Sequence, residues 1–104
     1  MEGHAVISSE ILASYAADAA LEVAGVRGLV ESALHRTKGV KVDDGDGGIA
    51  VELHLSVDWG ANVPELGAAV QRRVGDYLVR MADVRPERVD VVVDEIAAPA
   101  TQAS

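Results

Sequence analysis

Apolar and polar positions alternate most regularly between Ile49 and Trp59. Ile49, Val51, Leu53, Leu55, Val57 and Trp59 fall on one side, and Ala50, Glu52, His54, Ser56 and Asp58 on the other. A period of two sustained over this length predicts a strand with one buried face and one wet face. Upstream, Val40 and Val42 alternate with Lys41 and Asp43. Between the two runs, Asp44-Gly45-Asp46-Gly47-Gly48 supplies the positive-φ positions that a tight connection needs, so the runs are read as a hairpin.

Two segments carry helical spacing. Ile11, Leu12, Tyr15, Ala16, Ala19, Ala20 and Val23 recur at helical intervals after Ser8-Ser9, either of which can cap a helix, and Gly25 is a natural stop. Asn62-Val63-Pro64-Glu65 reads as a second start: an Asx cap, proline in the first turn and an acid at the positive dipole end. Leu66, Val70, Val74, Tyr77 and Met81 then form one stripe up to about Asp83, and Arg85-Pro86 breaks it. Three weaker signals complete the order. Val6-Ile7 is a short β-prone pair. Gly28 to His35, with Leu29, Val30, Ala33 and Leu34 apolar, predicts a short helix or helical turn. Val89, Val91 and Val93 alternate with Asp90 and Asp94 as a last strand. The expected fold class is α+β: a two-layer sandwich in the order β-α-β-β-α-β, with a mixed four-stranded sheet of ferredoxin-like strand order and helices packed on one face. A single domain is expected over residues 1–96, with a flexible C-terminal tail over 97–104.

Composition narrows the chemistry. The chain has 104 residues, 17 acidic and 9 basic side chains, and a formal net charge of -8. Nucleic-acid binding needs clustered Lys and Arg, which this balance does not offer. If Val51, Leu53 and Leu55 face the helices, the open sheet face carries Lys41, Asp43, Glu52, His54, Ser56, Asp58, Asp90 and Asp94. That face is acidic and lacks the aromatic platforms that ferredoxin-like RNA binders use. There is no cysteine, which excludes thiolate zinc sites, disulfides and a cysteine nucleophile. No apolar run reaches the roughly 20 residues of a membrane span, and Met1-Glu2-Gly3-His4 does not open a leader. The chain is therefore expected in the cytoplasm, or at the inner face of the cell membrane only through a partner, without inserting itself.

No catalytic constellation stands out, and no enzyme activity or cofactor is expected. Asp43, Asp44 and Asp46 lack the offsets of a calcium loop and read as a hairpin turn. His4, His35 and His54 lie in separate elements without a metal-ligand spacing, and His54 reads as a solvated strand histidine. The serines sit in no nucleophile elbow, and Gly45 to Gly48 lacks the following Lys and Ser/Thr of a phosphate loop. One feature of the second helix suggests a protein contact. Its core stripe leaves Ala68, Arg72, Gly75 and Val79 facing outward, flanked by Arg73 and Arg80. Such a small-residue strip can pack against another helix or strand.

Several stretches together resemble the alkaline shock protein family, the Gls-type envelope stress response family of Gram-positive bacteria. They are Val6-Ile7-Ser8, Ala19-Ala20-Leu21-Glu22-Val23-Ala24-Gly25-Val26 and Lys38-Gly39-Val40-Lys41-Val42. Val57-Asp58-Trp59-Gly60-Ala61-Asn62-Val63-Pro64-Glu65-Leu66, Val70-Gln71 and Val89-Asp90-Val91-Val92-Val93 follow in order. The sharpest piece is Trp59, Gly60, Asn62, Pro64 and Glu65, a strand-to-helix turn motif in which Trp59 stands where tyrosine is more usual. The resemblance implies a small cytoplasmic, non-enzymatic protein linked to envelope homeostasis and to alkaline or general stress. It also implies self-association and docking to a small integral membrane protein. A different reading of the residues alone is a small-ligand or cation-binding module, with Glu52, His54, Asp58 and Asp90 within reach of one another on the open face.

Overall fold

The computed structural model describes residues 7–31, 39–45 and 48–98. Within them the elements run α1 (Ser9–Leu21), β1 (Val26–Leu29), β2 (Val40–Gly45), β3 (Gly48–Val57), α2 (Val63–Ala82) and β4 (Arg88–Ile96). The fold is α+β, with two helices and a mixed four-stranded sheet. Everything is arranged around β3. Its Val51, Leu53, Leu55 and Val57 are fully buried, as the alternation predicts. One edge of β3 pairs antiparallel with two strands in succession, β2 over its first half and β1 over its second. The other edge pairs parallel with β4, which returns through α2.

The helix starts are those expected. Ser8 caps α1, its side chain accepting the Ile11 N–H at 3.1 Å. Asn62 caps α2 in the same way through the Glu65 N–H, with Pro64 in the first turn. Alanines make α1 slim: Ala13, Ala16, Ala17, Ala19 and Ala20 are buried with Leu12, so the helix sits close to the sheet and to α2. Ile11, assigned to the core stripe from spacing, is instead 46% exposed. In α2 the buried ridge is Leu66, Val70, Val74 and Leu78, a run of spacing four. Tyr77 lies beside that ridge, edge-on to Tyr15 at 6.0 Å between ring centres. Met81, expected in the core, falls off the ridge and is exposed.

The beginning of the chain departs from expectation. Val6 lies outside the described residues, and Ile7 belongs to no strand but packs half-buried on the core. The described order is therefore α-β-β-β-α-β. The weak helical pattern from Gly28 to His35 does not prevail: its start belongs to a strand, and residues 32–38 lie outside the described set. The physical reason is edge satisfaction. β2 pairs with β3 only as far as Leu53, so Leu55 to Val57 need another partner, and β1 supplies it. The two strands meet at His54, whose N–H donates to the Gly39 carbonyl at 3.0 Å and whose carbonyl accepts the Val30 N–H at 2.8 Å. Residues 99–104 of the expected tail also lie outside the described set.

Candidate functional site

Three features of the surface can carry chemistry or contact. The first lies on the face of the sheet away from the helices. His54 is 9% exposed, not solvated as its strand position suggested. Its ring bridges two carboxylates: Nε2 lies 2.7 Å from Glu52 Oε2 and Nδ1 lies 2.8 Å from Asp94 Oδ2. Neutral imidazole has one donor and one acceptor nitrogen, so only the imidazolium satisfies both contacts by donating. Burial alone would lower the His54 pKa. The bonds to Glu52 and Asp94, with the charge of both, outweigh burial and raise it above the ordinary 6.5.

Asp94 sits in a β-bulge of β4. Leu55 pairs with Val93 and Ser56 with Glu95, which leaves Asp94 as the extra residue of β4. The four residues thought to share this face do not act together. Glu52 bonds His54, Asp58 faces Arg27 at 3.6 Å, and Asp90 accepts from Arg88 Nε at 2.8 Å. Among the described residues no three His, Asp or Glu side chains converge on one point as metal ligands. The geometry says why: the two ring nitrogens of His54 point in different directions, each to its own carboxylate. The cluster favours the protonated form of His54 and ties β3 to β4.

The second feature is an open groove of about 800 Å³ between the α1–β1 turn, the β3–α2 turn and the outer side of α2. Val23, Ala61, Leu66 and Ala69 give it an apolar floor, and Arg72, Arg73, Glu65 and Asp76 stand at its sides. Arg73 is fixed by Glu22 at 2.6 Å. Trp59, the only tryptophan of the chain, lines this groove and is 65% exposed. The turn motif explains its position. β3 ends at Val57, Gly60 takes a φ of 85°, and Asn62 starts α2, so Trp59 is carried out of the sheet rather than onto its buried face. Gly25 lets the opposite turn come close, since a Cβ there would lie 2.8 Å from Leu66 Cδ1.

The third is a shallower groove of about 490 Å³ between α2 and β4. The outward strip of α2 divides between the two grooves. Arg72 and Arg73 line the Trp59 groove, while Gly75 and Val79 line the one beside β4. Ala68 and Arg80 are exposed and line neither. Nothing lies within 4 Å of where a Cβ would stand on Gly75. Gln71, next to this strip, donates its side-chain amide to the Val89 carbonyl at 3.0 Å. Residue spacing did not give Gln71 its partner, placed Asp94 on the open face without pairing it with His54, and did not pair Arg88 with Asp90. Their partners lie 18, 40 and 2 residues away, and only the sheet brings the first two together.

Comparison with known proteins bears on both fold and family. A sequence model of the alkaline shock protein family, described as having a cell envelope-related function, matches residues 1–98. The "Uncharacterized protein YqhY" of Bacillus subtilis (strain 168) is 30% identical over 99 residues, covering 86% of this chain and 73% of that protein. Among solved structures, the copper form of MamM CTD superposes with a TM-score of 0.62 at 21% identity, covering 92% of this chain and 93% of the other. A zinc form of a MamM CTD variant does so with a TM-score of 0.57 at 18% identity, covering 90% and 91%. These likenesses show a shared α+β fold. No helix among the described residues is long and apolar enough to cross a membrane.

Proposed function

The chain belongs to the alkaline shock protein family, whose function is related to the cell envelope, and we propose on that basis that it is a non-enzymatic interaction protein of the bacterial envelope stress response. It acts by self-association and by docking to a small membrane-anchored protein from the cytoplasmic side. The observation that carries this reading is Trp59. A large aromatic side chain held in the open beside an apolar-floored groove, with Arg72 and Arg73 at its edge, has the composition of an interface hot spot. A net charge of -8 supports the second half. The cytoplasmic leaflet is itself anionic and repels such a chain, so a protein must provide the link to the membrane.

Trp59 also reports on the proposal. If association buries the ring, its fluorescence emission moves to shorter wavelength as protein concentration rises. Trp59→Ala should raise the concentration needed for association by about tenfold or more, the size of a hot-spot loss. Emission that stays at the solvent-exposed wavelength while the protein associates would show that this groove is not the contact.

A further inference from the structure

The hydrogen bonds of β3 fix which way the backbone of β4 faces. His54 and Asp58 bond toward Gly39, Val30 and Gly25, so the even-numbered groups of β3 face β1 and β2. Ile49 and Val57 accept from Glu87 and Ala97, so the odd-numbered groups face β4. In a parallel ladder, the residue directly opposite one that faces its neighbour is turned away. Val89, Val91 and Val93 stand opposite Val51, Leu53 and Leu55. Their N–H and C=O groups therefore point outward, along an edge for which β4 has no strand partner among the described residues.

Gln71 shows that this edge can be used. Its primary amide reaches over from α2 and donates to the Val89 carbonyl, making the bond that a backbone amide of another strand would make. The groove between α2 and β4 continues from that point, with Gly75 and Val79 on the helix side and Arg88, Val89 and Asp90 on the strand side. It has the layout of a slot for an extended peptide, which would add a strand to β4 and lie against α2. The two faces of such a strand meet different chemistry. The helix-side face meets Gly75 and Val79, which suit small apolar side chains. The other face runs past Asp90 and Asp94, which are bonded to Arg88 and His54 but stay 43% and 37% exposed, so each can take a further donor from Lys or Arg at alternating positions.

We propose that the outer edge of β4, beside α2, binds an extended basic segment of the membrane-anchored partner by β-strand addition. The proposal rests on the docking half of the function above and gives it a place. Charge favours this occupant: cytoplasmic flanks of membrane-spanning helices are enriched in Lys and Arg, and this chain is strongly acidic. On binding, Gln71 yields the Val89 carbonyl to the incoming strand.

The test uses the wild-type chain and a short capped peptide of alternating lysine and valine, read by amide hydrogen exchange. Saturating peptide should slow exchange at Val89, Val91 and Val93 by about tenfold or more, and the same peptide with glutamate for lysine should not. Protection absent from these three amides, or equal with both peptides, overturns the proposal. Val91→Pro gives a second measurement. It removes an outward N–H and no bond to β3, so it is compatible with an edge strand. In the native cell, the wild-type chain should be retained on membranes and lost after proteolysis of membrane proteins, and V91P should be lost throughout. Retention of V91P at wild-type levels overturns the β4 site alone. A wild-type chain that does not co-fractionate with membranes overturns the docking function itself.

Discussion

Replacing Gly39 by alanine should cost about 3 kcal/mol of stability, the sum of a left-handed backbone and a backbone clash. Gly39 has a φ of 76°, and a Cβ there would lie 2.8 Å from the Val30 oxygen and 2.9 Å from the Val30 nitrogen. Neither atom is the loose end of a side chain. Both belong to the residue that follows β1, which shares the β3 edge with β2, and the Val30 N–H is held by the His54 carbonyl. Relief requires separating two strands that meet at one residue of β3. Gly60 is the matched control: its φ is 85°, but nothing lies within 4 Å of its Cβ position. Gly60→Ala should cost only the backbone part, about 1 kcal/mol. Urea unfolding of both variants checks this through the midpoint, with the slope unchanged. Equal losses would mean that the close approach at Gly39 is easily relieved.

The second large effect concerns His54 and depends on pH. Its folded pKa lies above the ordinary 6.5, since its bonds to Glu52 and Asp94 outweigh burial. The folded state therefore binds this proton more tightly than the unfolded chain does. The resulting stability is fully present below about pH 6.5 and is lost as pH rises through the folded value. His54→Gln removes the charge. At pH 6 it should cost about 2 kcal/mol, a figure reduced from that of two charge-assisted bonds because both carboxylates are more than a third exposed. The difference between variant and wild type should narrow toward pH 9. Denaturant unfolding at a series of pH values measures it, and a constant difference would show that the imidazolium contributes nothing.

The same two sites show what sequence conveys and what it withholds. Alternation from Ile49 onward identifies β3 and its buried face, and cap residues place the starts of both helices, because these signals are local. The pairing of β1 is not local. Val26 to Leu29 is too short to show a period, and its conformation is decided by an unfilled stretch of β3 edge nearly 30 residues later. Period two also puts His54 on the open face correctly but cannot report its burial. That burial comes with the bond to Asp94, which alternation puts on the same face but cannot pair with His54, and the bulge at Asp94 leaves no trace in the alternation Val89, Val91, Val93. In α2, spacing gives the right face as far as Val74. Beyond it, a row of spacing four leads to Leu78, whereas the alternative spacing of three and four leads to Tyr77 and Met81. Packing against α1 and the sheet selects the first. Trp59 and the strip containing Gly75 and Val79 were legible as candidates because their motif and helix face are local. Their division between two grooves follows only from the folded chain.

Self-association is the central claim, and the mass in solution tests it most directly. Light scattering at physiological salt over a wide concentration series should give a weight-average mass above the 10.8 kDa of one chain, increasing with concentration. A mass that remains at 10.8 kDa across the series would contradict it.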